Sequence, residues 1–115
     1  MAKKIAEQLI DTLVESGVER IYAVTGDSLN EAVRKNHKIQ WIHVRHEETG
    51  AYAAAAEAQL TGRIGCCAGS SGPGHVHLIN GLYDAQRSGA PVIAIASTTP
   101  SGEFGTEYFQ ETNTI

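Results

Sequence analysis

The chain has 115 residues, 42% of them hydrophobic and 19% charged, enough for one domain with a modest core. It holds no apolar run of ~20 residues, so a membrane span is excluded. A net charge of −4, with no basic run beyond Lys3-Lys4, argues against nucleic acid as the main partner.

The elements follow in chain order. Ile5, Ala6, Leu9, Ile10, Leu13 and Val14 recur at helical spacing, which predicts an amphipathic helix over 2–16 that stops at Gly17. Residues 20–24 read as a short strand. Ser28-Leu29-Asn30-Glu31 fits a capping box, so a second helix is expected from there to about Lys35. Residues 41–44 are the next strand. The helix after it carries Ala51, Ala53, Ala54, Ala55, Ala56 and Ala58, small side chains that let a helix pack closely on both a sheet and a neighbour. A third strand, 64–68, is apolar throughout, as a strand covered on both faces should be. One helix is then expected through Leu78, Ile79, Leu82 and Ala85, followed by a fourth apolar strand at 91–96. The polar stretch from Ser97 reads as a loop, partly disordered at its end.

Strand alternating with helix predicts an α/β fold, a parallel sheet with helices on both faces. Ligands of such sheets bind beyond the carboxyl ends of the strands, where the strand order reverses. The turns Thr25-Gly26-Asp27, Arg45-His46-Glu47 and Ser70 to Gly74 all fall on that edge, and the polar tail leaves from it. Gly69-x-x-Gly72-x-Gly74 could cradle an anion, but it matches no nucleotide loop, and a purely structural turn stays open. Glu47 and Glu48 sit in a first helical turn, where the helix dipole favours negative charge. His43 lies near His46 in sequence and His75 near His77. Nothing in the spacing converges them, so no metal site is expected. Cys66 and Cys67 are adjacent, and neighbouring strand residues face opposite sides, so they read as reduced core thiols rather than a disulfide. With no signal-peptide pattern at the start, this places the protein in the cytoplasm.

Several segments together say more than these patterns. They are Val24-Thr25-Gly26-Asp27-Ser28-Leu29-Asn30, Arg45-His46-Glu47-Glu48, the run from Ala56 to Gly62, Gly72-Pro73-Gly74, the run from His77 to Asp84, and Phe109-Gln110-Glu111. In this order the set closely resembles the flavodoxin-like, N-terminal pyrimidine-binding domain of thiamine-diphosphate enzymes. Pyruvate oxidases and quinone-dependent pyruvate dehydrogenases look nearest, with acetolactate synthases next.

The resemblance implies that Glu47 hydrogen-bonds a ring nitrogen of the cofactor's aminopyrimidine. A proton shared there favours the ring's imino form, which can deprotonate the thiazolium carbon. Such a carboxyl works best when partly desolvated, and Glu48 is expected to point elsewhere and support the turn. By the same resemblance Gly26, Ser70, Pro73 and His77 line the pyrimidine pocket, and Gln110 reaches the substrate side as a second catalytic residue. The chain departs from the family pattern at His75, where Asn is frequent, and at Ser71, where Cys is frequent. Relatives carry further domains that bind FAD and, through Mg²⁺, the diphosphate. The resemblance therefore makes residues 1–115 an incomplete, truncated pyrimidine-binding domain, inactive alone, that completes its site in a homo-oligomer. The expected reaction of the whole enzyme is decarboxylation of pyruvate. The alternatives are an acetolactate synthase-type carboligase and a non-catalytic flavodoxin-like interaction module.

Overall fold

Ile10 and Leu13 are the buried positions of the first helix, α1 (Ile5–Glu15), and they meet the apolar side of a four-stranded sheet. The computed structural model describes residues 2–26 and 28–113, and nothing of the Ser28 side chain. The strands are β1 (Arg20–Ala23), β2 (Gln40–His43), β3 (Gly65–Gly69) and β4 (Val92–Ala96). They pair in the order β2-β1-β3-β4, and every pairing is parallel. Helices α2 (Ser28–Asn36), α3 (Glu47–Thr61), α4 (Pro73–Val76) and α5 (Ile79–Ser88) make the crossovers. The capping role assigned to Ser28 lies outside the described side chains.

The helices cover both faces of the sheet, as expected. On one face, α1 and α2 bury Ile10, Leu13, Leu29, Ala32 and Val33 against Ile21, Ala23, Cys66 and Ala68. On the other, α3 and the start of α5 bury Ala51, Ala54 and Leu78 against Cys67 and Tyr22. Cys66 and Cys67 thus serve opposite cores. Both are free and fully buried, and burial pushes each thiol up to about 12.

The alanine-rich α3 packs as its composition predicts. A Cβ at Gly65 would come 2.1 Å from the Ala54 carbonyl oxygen, and one at Gly81 would come 2.4 Å from the Ala51 Cβ. Only glycine permits α3 this close to both β3 and α5.

One expectation needs correction. The single helix expected through Leu78 is two: α4 ends at Val76, and α5 begins at Ile79. Leu78 turns inward at the break, 1% exposed, and burying that side chain is worth more than one unbroken helical axis. The apolar β4 is only partly covered, because it is an edge strand. The tail is a loop as expected, without α-helix or strand as far as Asn113. It makes a short 3₁₀ turn at Ser101–Glu103 and returns over the glycine turn. The expected disorder at its very end falls on residues outside those described.

Candidate cofactor site at the carboxyl edge of the sheet

The winding reverses at β1, whose neighbours β2 and β3 leave from opposite sides, so a crevice opens at the carboxyl ends of these strands. Glu47 enters it as the first residue of α3. His46 precedes it as the N-cap, in extended conformation, and its Nδ1 accepts the Glu48 backbone N–H at 3.3 Å. That cap sets the entry angle of α3, so Glu47 is turned inward and is only 8% exposed. Glu48 points elsewhere, half-buried, and its Oε1 accepts a long 3.5 Å contact from the Asn80 amide.

Two parts of the chain converge on Glu47. His77, at the end of α4, places Nδ1 3.0 Å from Glu47 Oε2. An imidazole N–H donates to the carboxylate in that pair. From the glycine turn, a Cβ at Gly74 would stand 3.5 Å from Glu47 Oε1 and 2.5 Å from Ser70 Oγ. Glu47 Oε1 and Ser70 Oγ therefore face the same glycine backbone. Among the described residues Oε1 takes no hydrogen bond.

The remaining expected site residues are distributed around this centre. Pro73 opens α4 at its first position, exposed, where its fixed φ suits a helix start and its missing N–H costs nothing. Gly26 lies at the end of the turn after β1, where a Cβ would come 2.3 Å from the Trp41 ring and 2.9 Å from Asn30 Oδ1. Its contacts are with those two side chains rather than with the carboxylate. Gln110 comes back from the tail to the glycine turn. Its backbone oxygen would lie 2.5 Å from a Cβ at Gly72, and its side chain meets Ser71 Oγ at 3.4 Å. Gln110 itself has φ of 59°, a left-handed conformation that non-glycine residues seldom adopt, next to Gly72 at φ of 66°. Gly72 is the glycine whose freedom the turn needs on both counts. The carboxylate of Glu111 holds this return in place by accepting the Gly105 N–H at 2.5 Å and the Tyr108 N–H at 3.2 Å.

The histidines sort differently from their sequence pairs. His43 Nδ1 binds the Val24 carbonyl at 3.0 Å, and His75 Nδ1 binds the Ser97 carbonyl at 2.8 Å, so the first ties the end of β2 to the turn after β1 and the second ties α4 to the segment after β4. His46 and His77 instead stack on each other, with ring centres 4.4 Å apart and planes 26° from parallel. Spacing along the chain gave no sign of this contact, which links residues 31 positions apart in sequence.

A buried carboxylate with one oxygen anchored by an imidazole and the other free beside a bare glycine backbone is a donor set that suits the ring nitrogen of an aminopyrimidine. Comparison with known families supports the same assignment. Residues 3–115 match the family described as thiamine pyrophosphate enzyme, N-terminal TPP binding domain. The chain belongs to this family. Among curated proteins it is 57% identical to an uncharacterized 42.6 kDa protein in isoamylase 3'region of Pseudomonas amyloderamosa, over 96% of the chain and 28% of that protein. It is 52% identical to the putative thiamine pyrophosphate-containing protein YdaP of Bacillus subtilis, over 96% of the chain and 20% of that protein. It is 46% identical to a pyruvate oxidase of Lactiplantibacillus plantarum, over 91% of the chain and 18% of the enzyme. An acetolactate synthase of Brassica napus matches at 35% identity, over 96% of the chain and 17% of that protein. The chain thus spans less than a third of the length of each of these relatives. No helix among the described residues is long and apolar enough to cross a membrane.

Proposed function

We propose that this chain is the pyrimidine-binding part of a thiamine-diphosphate enzyme that decarboxylates pyruvate, of the oxidase or dehydrogenase type. The observation that carries the reading is Glu47, buried at the carboxyl edge of the sheet with Oε1 free and Oε2 held by His77. Thiamine diphosphate, when bound, supplies the carbon nucleophile that attacks the 2-oxo group and accepts the electrons freed as CO₂ leaves.

The residues of this chain handle the proton on the pyrimidine side. Glu47 Oε1 would share a proton with the ring nitrogen when the cofactor is bound. His77 fixes the other oxygen, so the carboxylate cannot rotate away. Ser70 and Gly74 bound the space beside Oε1, and the missing Cβ of Gly74 lets the Ser70 hydroxyl pack against that backbone. Gly26 and Pro73 line the remaining edge. Gln110, carried over the glycine turn, faces the substrate side. Mg²⁺ and FAD are assigned to other domains of the whole protein, and the site closes between subunits of a homo-oligomer, so these residues alone turn over no substrate. Two buried, protonated thiols fit a cytoplasmic setting.

The test is Glu47→Gln in the full-length protein. Decarboxylation should fall at least about 100-fold, the scale of lost acid–base catalysis, while the circular dichroism spectrum is unchanged. Unchanged turnover refutes the role. The match to acetolactate synthase supports a second reading, in which another 2-oxo acid accepts the two-carbon unit. The two separate by product: CO₂ release that requires an added electron acceptor favours the oxidase type, and acetolactate formed without one favours the ligase.

A further inference from the structure

We propose that His46, Glu47 and His77 form a binding site for a divalent cation of the zinc class. One ligand atom from each residue lies within 4.8 Å of the others. The three come from separate parts of the chain, the cap and first residue of α3 and the end of α4, so the cluster is a product of the fold.

The distances favour an ion. His77 Nδ1 and Glu47 Oε2 are 3.0 Å apart. Two ligands on one zinc, with bonds of about 2.0–2.2 Å, stand about 3–3.5 Å from each other. An ion between them takes the place of the proton they share, and that proton moves to Nε2 of the same ring, leaving His77 neutral. The near-parallel ring of His46 supplies the third ligand. Its Nδ1 now accepts only a 3.3 Å contact from the Glu48 N–H, and its exposed ring can turn to close the remaining gap. Glu47 is the fixed member, buried at the helix start, and the two exposed imidazoles adjust to it.

Two imidazoles and a carboxylate suit zinc, with the fourth position left to water, and do not suit magnesium or calcium, which prefer oxygen ligands throughout. The site shares Glu47 with the thiamine reading, but its test uses no cofactor and stands or falls separately.

The experiment is calorimetric titration of the purified chain with zinc chloride at neutral pH, with magnesium chloride as the control. One zinc per chain should bind with micromolar or tighter affinity, and magnesium should not. His77→Ala and Glu47→Gln should each weaken zinc binding at least tenfold. Absence of binding overturns the site, and so does wild-type affinity in either variant, which would leave the ion to His37, His43 or His75. Should a variant fail to fold by circular dichroism, the wild-type chain with cobalt chloride decides: the intense visible bands of four-coordinate cobalt support the site, and a six-coordinate spectrum overturns it.

Discussion

Gly74 is the residue on which the shape of the pocket depends. A methyl group there would sit 2.5 Å from Ser70 Oγ and 3.3 Å from Ser70 Cβ, so the Ser70 side chain must be displaced from beside Glu47. Gly74→Ala should therefore destabilise the chain by about 1–3 kcal/mol and weaken thiamine diphosphate binding in the full-length protein. Urea denaturation and cofactor titration check the two effects, and an alanine variant with wild-type stability and affinity would show that the glycine turn is looser than described. The two cysteines make a second prediction at this scale. With both thiols pushed up to about 12 and fully buried, iodoacetamide at pH 8 should modify neither in the native chain and both in denaturant. Mass spectrometry counts the adducts. Some of the site was legible in the sequence and some was not. The Arg-His-Glu turn placed Glu47 at a helix start on the carboxyl edge of the sheet, because an extended cap before a helix is a local event. The meeting of His46 with His77 was not legible, because it depends on how a crossover helix returns beside a strand end, and no local spacing records that.

At the scale of elements, α3 and α5 determine how the glycine turn faces Glu47. Their contact is alanine on glycine: a Cβ at Gly81 would come 2.4 Å from the Ala51 Cβ and 2.8 Å from the Tyr52 backbone nitrogen. Gly81→Ala must push the helices apart, and α5 moves together with His77 just before it. The expected net cost is about 1–3 kcal/mol, read as a lower denaturation midpoint, even after the roughly 1 kcal/mol that Gly→Ala gains in an exposed helix. A variant more stable than wild type would show that propensity outweighs packing there. The alanine run announced a close helix in the sequence, and the structure shows the two surfaces it approaches. The break at Leu78 was hidden because His75 to Ile79 contains no glycine or proline, and it is burial of one leucine that divides the helix.

Across the whole molecule, alternation of strand and helix predicted the parallel sheet, but periodicity carries no information on strand order. The order β2-β1-β3-β4 follows only from which strands pair, and it is what creates the crevice. Surface charge binds the outer layer to itself: Glu7 reaches Lys35, Asp11 reaches Lys3 and Asn36, and Glu31 reaches Arg34. These hydrogen-bonded partners hold all three carboxyls below the usual carboxylate range. A depressed folded value means that the stabilisation is present above the unfolded value and is lost as pH falls through the folded one. The thermal midpoint should therefore drop as pH falls below about 4. The drop should be smaller in 1 M salt, since exposed pairs are screened. A midpoint independent of pH between about 5 and 2 would mean that these pairs contribute nothing.

The thiamine reading is tested most directly by a crystal structure of the full-length protein with thiamine diphosphate and Mg²⁺. It predicts a Glu47 carboxylate oxygen about 3 Å from a ring nitrogen of the pyrimidine, with His77 still on the other oxygen. A pyrimidine seated away from the carboxyl edge of this sheet, with Glu47 bonded only to His77, would contradict it.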